Sequence, residues 1–135
     1  GAAVAADPTA PATSGTAPAL LDTAVLDDLF AMAGRSTAVV DRITGLWRVQ
    51  SAGRLADLRA AVEAADIEAL GRVAHALKSM SFNVGARAVA EGAAAIERAA
   101  RLDGRVTGLD EFERLSGDHA ASLAELARWR GTIAA

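Results

Sequence analysis

Two histidines, His75 and His119, are the chain's candidate nucleophiles or bases, since it contains no cysteine. His75 has the more informative surroundings. Lys78 follows it at i+3, a spacing at which helical side chains meet. Gly71 precedes it by four residues and Ser79 follows by four. Both are small, which predicts bare turns above and below the imidazole and room for another protein to approach the ring. A cation at Lys78 would offset negative charge gathered beside the ring. Further along lies a candidate carboxylate, Glu97. A carboxylate next to an imidazole fixes its tautomer and leaves the other ring nitrogen free to attack.

That chemistry needs elements to hold it, and the sequence supplies helices. Apolar residues make up 52% of the chain, much of it alanine, with no strand-like alternation. The spacing predicts helices from about Asp22 to Ala33, Ser36 to Ala65, Asp66 to Asn83, Ala86 to Leu102 and Asp110 to Thr132. In the first, Val25, Leu26, Leu29 and Phe30 share a face and Gly34 ends the run. In the second, Val39, Val40, Ile43, Leu46, Trp47, Leu55, Leu58 and Val62 form the inward stripe. Phe112, Leu115, Leu123, Leu126 and Trp129 do the same in the last. Short connections favour antiparallel neighbours. The expected fold is all-α: an antiparallel up-down four-helix bundle with an additional short N-terminal helix. Residues 20–135 form this domain. Residues 1–19 hold all three prolines and a single charge, and read as a flexible Ala/Pro-rich tail or linker.

Advancing 100° per residue along the third helix sorts its two faces. Ile67, Leu70, Val73, Ala74, Leu77, Met80, Ser81 and Val84 fall together and face the core. Glu68, Gly71, Arg72, His75, Lys78, Ser79 and Phe82 fall on the other side. His75 is therefore predicted in mid-helix on the solvent face. An exposed Phe82 two turns on marks a docking surface, together with Gly71, Arg72 and Ser79, unless its ring tucks against the next helix. The segment from Asn83 to Ala86 is a tight turn in which Gly85 supplies the unusual backbone angles. His75 and Glu97 are each 11 positions from Ala86, so a hairpin places them at one level. The competing use of Glu97 is an ion pair with Arg101 at i+4.

Other chemistries find little support. His119 lies in line with Phe112, Leu115, Ser122 and Leu126 and reads as a packed histidine. Two histidines without a carboxylate cluster make no case for a metal site. Ser14 and Ser36 lack the strand–turn–helix setting of a nucleophilic serine, and no glycine-rich phosphate loop follows a strand. A net charge of −3 argues against nucleic acid as a partner. No apolar run approaches the roughly 20 residues of a membrane span, and no signal-peptide pattern is present. A cytoplasmic domain is the expectation.

The stretch His75-Ala76-Leu77-Lys78-Ser79-Met80-Ser81-Phe82-Asn83-Val84-Gly85-Ala86 resembles the signature of the histidine-containing phosphotransfer (HPt) domain family. In that family the pattern is H-x-L-K-G-x-[SA]-x-x-[apolar]-G-[AL]. Glu97 matches the position, usually Glu or Gln, that contacts the phosphorylated ring. Trp47 stands where the family often has Phe, and Leu55, Leu58 and Ala61 match its second helix. Ser79 departs from the usual glycine. The strong resemblance spans His75 to Glu97, and a weaker one residues 25–130.

The resemblance implies that His75 accepts a phosphoryl group from a receiver-domain aspartate or a histidine kinase. Response-regulator receiver domains and sensor or hybrid histidine kinases are then the partners. Glu97 orients the ring and Lys78 offsets charge on the product. The chain binds no cofactor of its own, and the Mg²⁺ needed for transfer sits on the receiver. No autonomous kinase activity is expected. The alternative is a non-catalytic helical interaction module whose histidine only contacts its partner. The mirrored placement of Glu97 opposite His75 favours the relay.

Overall fold

Ser36 ends an irregular turn with its side chain accepting a hydrogen bond from the Val39 N–H, 3.2 Å. This satisfies one of the donors that a helix start leaves free and opens the long helix α2 (Thr37–Ala64). Before it comes the short α1 (Thr23–Met32). Ala65 in the left-handed region closes α2. Asp66 then caps α3 (Ile67–Asn83), its carboxylate accepting from the Ala69 N–H at 3.1 Å. The tight turn around Gly85 leads to α4 (Arg87–Arg101), and residues 102–108 lead to α5 (Leu109–Ile133). This computed structural model describes residues 19–134. The expected tail at residues 1–19 lies outside the described residues apart from Ala19. All five expected helices are present, within one or two residues of the expected bounds, and the described residues contain no strand.

α3 packs most extensively on α4, and α2 lies along α3. Both α2 and α4 also contact α5, and α1 rests on α2. The core between them is built from Leu26, Leu58, Leu70, Leu77 and Val89, all fully buried, with Trp47, Phe112 and Trp129 around them. Along α2 the buried row is Val40, Trp47, Ser51, Leu55, Leu58 and Ala61. Leu46, expected inside, is exposed. The row steps by seven residues from Val40 to Trp47 and by three or four thereafter, and Leu46 falls off its edge. Ile67 is likewise at the margin of exposure at the start of α3, where the helix has barely entered the core.

Buried polar groups link the helices. The Trp47 Nε1–H donates to Ser81 Oγ at 3.1 Å, joining α2 to α3. Ser51 Oγ and His119 Nε2 share a 2.7 Å hydrogen bond, joining α2 to α5. The His119 ring also packs against Trp47, with centroids 5.3 Å apart. Pairing of this kind is what makes polar groups tolerable in a core. Burial lowers the His119 pKa below its usual 6.5 and keeps the ring neutral. His119 is thus the packed histidine that its helical position indicated.

The α3–α4 turn is held from outside. Gly85 sits at φ +73°, and a Cβ there would meet the Asp22 carbonyl oxygen at 2.6 Å. The Asp22 N–H donates to the Gly85 carbonyl at 2.7 Å, and the Ala88 N–H donates to that of Leu20 at 3.1 Å. The chain entering α1 therefore straps the turn that sets the register of α3 against α4.

Candidate functional site

α4 is alanine-rich, with Ala90, Ala93, Ala99 and Ala100 buried, and it packs more extensively on α3 than on any other helix, within reach of a glutamate side chain. Glu97 is nine-tenths buried, and its Oε2 lies 2.8 Å from His75 Nδ1 on α3. The mirrored spacing about Ala86 is realised as a side-by-side pair.

Glu97 holds more than the ring. Lys78 Nζ is 2.6 Å from its Oε1. The Arg101 Nη1–H donates to its Oε2 at 2.7 Å. The hydrogen bond from Lys78 is the main influence holding the Glu97 pKa below the ordinary carboxylate value; burial opposes it and the His75 bond assists. An ionised carboxylate only accepts hydrogen bonds. The proton between the two residues therefore sits on His75 Nδ1. In the neutral ring, Nε2 is left with its lone pair and no hydrogen. The imidazole is about half exposed.

Three sequence-predicted residues, His75, Lys78 and Glu97, thus meet in one cluster. Lys78 does not stand free beside the ring, as its i+3 position indicated. Its ammonium pairs with Glu97 instead, because that buried carboxylate needs compensating charge. The Arg101 ion pair, framed in the sequence as a competitor for Glu97, coexists with the His75 bond on the same oxygen.

Around the ring, Arg72, Ser79 and Phe82 are exposed, and Phe82 stands about half out of the surface rather than tucked away. Gly71 was expected to leave its turn bare and does not. It is buried beneath the stem of Arg101, whose Nε and Cγ lie about 3 Å from where a Gly71 Cβ would stand. The turn after His75 is open at Ser79; the turn before it is occupied. Arg101 is the site residue that sequence reasoning did not assign. Its signals were present: an i+4 position from Glu97 and a glycine facing it across the hairpin. Gly85 takes the strained backbone angles expected of it. Among the described residues no three His, Asp or Glu side chains gather as a metal-binding group, and no helix is long and apolar enough to cross a membrane.

The arrangement can deliver one nucleophilic nitrogen to an incoming electrophile, with the ring aimed by a buried anion. Residues 42–130 match the family model of the Hpt domain. Among solved structures, the chain is similar to histidine-containing phosphotransfer protein B (HptB) from Pseudomonas aeruginosa PAO1, with a TM-score of 0.75 and 26% sequence identity. That match covers 87% of this chain and 98% of HptB. No curated protein matches the chain. The family model spans well over half of the sequence and includes both His75 and Glu97, and the chain belongs to the Hpt domain family.

Proposed function

We propose that this chain is a phosphorelay intermediate that accepts a phosphoryl group on His75 and exchanges it with the aspartate of a response-regulator receiver domain. The observation that carries the reading is the 2.8 Å contact between His75 Nδ1 and Glu97 Oε2 under a half-exposed ring. In the neutral ring that contact leaves Nε2 with its lone pair, on an imidazole that is half exposed.

In the proposed step, the Nε2 lone pair attacks the phosphorus of an aspartyl phosphate in line. The Nε2–P bond forms as the P–O bond to the aspartate breaks, and the aspartate leaves as a carboxylate. The proton on Nδ1 stays in place, so the ring becomes positively charged as it takes the phosphoryl group. Glu97, already ionised and aligned, stabilises that developing charge without reorganising. Positioning and electrostatics are most of what phosphoryl transfer asks of a protein. The reverse step returns the phosphoryl group by the same path.

Supply by a sensor or hybrid histidine kinase fits the same geometry, since the acceptor nitrogen is identical. Arg72, Ser79 and Phe82 border the ring and form the docking face in this reading. The Mg²⁺ used in transfer belongs to the receiver. Helices α2 to α5 act as an antiparallel up-down bundle whose flank presents the site, with α1 appended.

The test is transfer of label from a phosphorylated receiver domain. Wild type acquires acid-labile, base-stable label, His119→Gln retains it and His75→Gln abolishes it. Label that survives in His75→Gln contradicts the assignment. Docking of a receiver with no label acquired favours the plain interaction module.

A further inference from the structure

We propose that Lys78 is an acylation site, supplied by a small acyl phosphate held in the cavity beside it, and that acylation there turns phosphotransfer off. The switching half rests on His75 being the phosphoryl acceptor; the site itself does not.

Lys78 is the single lysine among the chain's 14 lysine and arginine residues. The two residue types differ in chemistry. A guanidinium stays protonated at every working pH, whereas a lysine can shed a proton and take an acyl group. Amine acylation of this chain's side chains is therefore confined to Lys78, which lies in the site and not on a remote surface. Its side chain is 28% exposed, so a small donor can reach it.

A cavity of about 270 Å³ opens against Lys78. Its walls are Lys78, Ala94, Glu97, Arg98, Arg101 and Leu102. Three cations stand there against one carboxylate, an excess that favours an anionic occupant. Arg98 has no ion-pair partner among the described residues. Its guanidinium is thus available to a phosphate, whose oxygens match the N–H fork. An acyl phosphate carries both that anionic head and a reactive carbonyl next to it.

In the proposed step, the Lys78 ammonium first gives one proton to solvent. The Nζ lone pair then attacks the acyl carbon. The N–C bond forms as the C–O bond to phosphate breaks. The phosphate leaves with that electron pair and takes the nitrogen's second proton. The product is a neutral amide.

The consequence falls on Glu97. Lys78 Nζ lies 2.6 Å from its Oε1, and this bond is the main influence that keeps the carboxyl ionised. Acylation removes the charge from one of the two cations paired with a nine-tenths buried anion. A buried charge short of compensation is costly. Glu97 is also the group that aims His75 Nδ1, so the ring loses its fixed partner.

The test has two readouts. Acetyl phosphate is the probe, and peptide masses after acid treatment show the acetyl group, because acid removes phosphohistidine and spares the amide. Acetyl on Lys78 is expected in wild type and absent in Lys78→Arg. Arg98→Met slows labelling by acetyl phosphate about threefold, the scale of one exposed ion pair. It leaves labelling by p-nitrophenyl acetate, which has no anionic head, unchanged. The second readout is single-turnover transfer from a phosphorylated receiver over a range of receiver concentrations. Acetylated wild type is expected to lose about tenfold in maximum rate, as for loss of a supporting partner behind a functional histidine. Lys78→Gln shows a similar loss before treatment and no more after it. Lys78→Arg transfers at one rate with and without treatment. Circular dichroism verifies that each variant is folded.

No acetyl on Lys78 overturns the site, and equal labelling of wild type and Arg98→Met by acetyl phosphate overturns the seat. Acetylated protein that transfers at the untreated rate overturns the switch. A raised half-saturating concentration at an unchanged maximum rate makes the acyl group a docking obstacle and overturns its action through Glu97. If wild type gains no phosphoryl label, the acceptor reading fails and the switch falls with it, while the acetyl map still decides the site.

Discussion

Glu97 Oε2 accepts the His75 Nδ1–H at 2.8 Å across the α3–α4 hairpin, from a position nine-tenths buried. The relation is directional. A buried anion with cations on both of its oxygens holds the proton on Nδ1 and leaves Nε2 of the neutral ring with its lone pair, the atom proposed to take the phosphoryl group. Replacing Glu97 tests it. Glu97→Gln keeps an acceptor but loses the charge, and its transfer rate is expected to fall about tenfold. Glu97→Ala removes both, with an expected loss of about 100-fold, the upper range for partners that orient a functional histidine. Single-turnover transfer measures both. Equal rates in wild type and Glu97→Ala would show that the ring needs no orienting partner.

Two buried groups set different acid limits. Burial holds the His119 pKa below 6.5. The unfolded chain gains this proton as pH falls through about 6.5, while the folded chain resists it. The neutral ring's contribution is therefore whole above that pH and lost as pH falls towards the folded value. Glu97 has its pKa lowered from 4.5, chiefly by Lys78. Its contribution is whole above about 4.5 and lost as pH falls through its lower folded value. Melting temperatures between pH 7 and 5 should decline in wild type and decline less in His119→Gln. Parallel curves for the two proteins would show that His119 does not set the first limit.

The Gly85 turn is predicted to be intolerant. Gly85→Ala must adopt φ near +73° and place a Cβ 2.6 Å from the Asp22 carbonyl oxygen, so the strap from the α1 entry has to move. A loss of about 2 kcal/mol is expected. This corresponds to a melting temperature lower by roughly 10 °C for a domain of this size. Thermal unfolding followed by circular dichroism gives the answer directly.

Ser81→Ala leaves the Trp47 Nε1–H buried without an acceptor. The cost should be about 1–3 kcal/mol, the range for an orphaned buried donor. Trp47→Phe removes that donor together with part of the ring. In the background of Trp47→Phe, Ser81→Ala should therefore cost much less than in wild type. Chemical denaturation of the four proteins forms the cycle, and additive losses would show that the hydrogen bond contributes nothing.

Much of this was legible in the residues, for identifiable reasons. The helices follow from caps at Ser36 and Asp66, stops at Gly34 and Gly85, and three-and-four spacing of apolar residues. The His75–Glu97 pair follows from counting outward from Ala86, because a hairpin turns sequence distance into spatial level. What escaped depends on side-chain reach. Lys78 and Arg101 are long and flexible, and their sequence positions do not reveal that a single buried carboxylate draws both. Gly71 looked like an opening because a glycine leaves a gap, and the sequence does not say which neighbour fills it. Leu46 looked buried because it is apolar and near the stripe, but Trp47 fills the row and pushes its neighbour outward. Ser51, an ordinary polar residue by type, is a core residue here because His119 supplies its partner; Ser81 falls on the core face by its spacing, and Trp47 supplies the partner that its type alone does not name.

The central claim is that Glu97 keeps the proton on Nδ1 so that Nε2 of His75 receives the phosphoryl group. The most direct measurement is ¹⁵N NMR of the imidazole nitrogens in protein labelled at histidine, before and after phosphorylation by a phosphorylated receiver domain. The account predicts an unphosphorylated His75 ring protonated at Nδ1, and phosphorus coupling to Nε2 after transfer. Phosphorus on Nδ1, on His119, or on neither ring would contradict it.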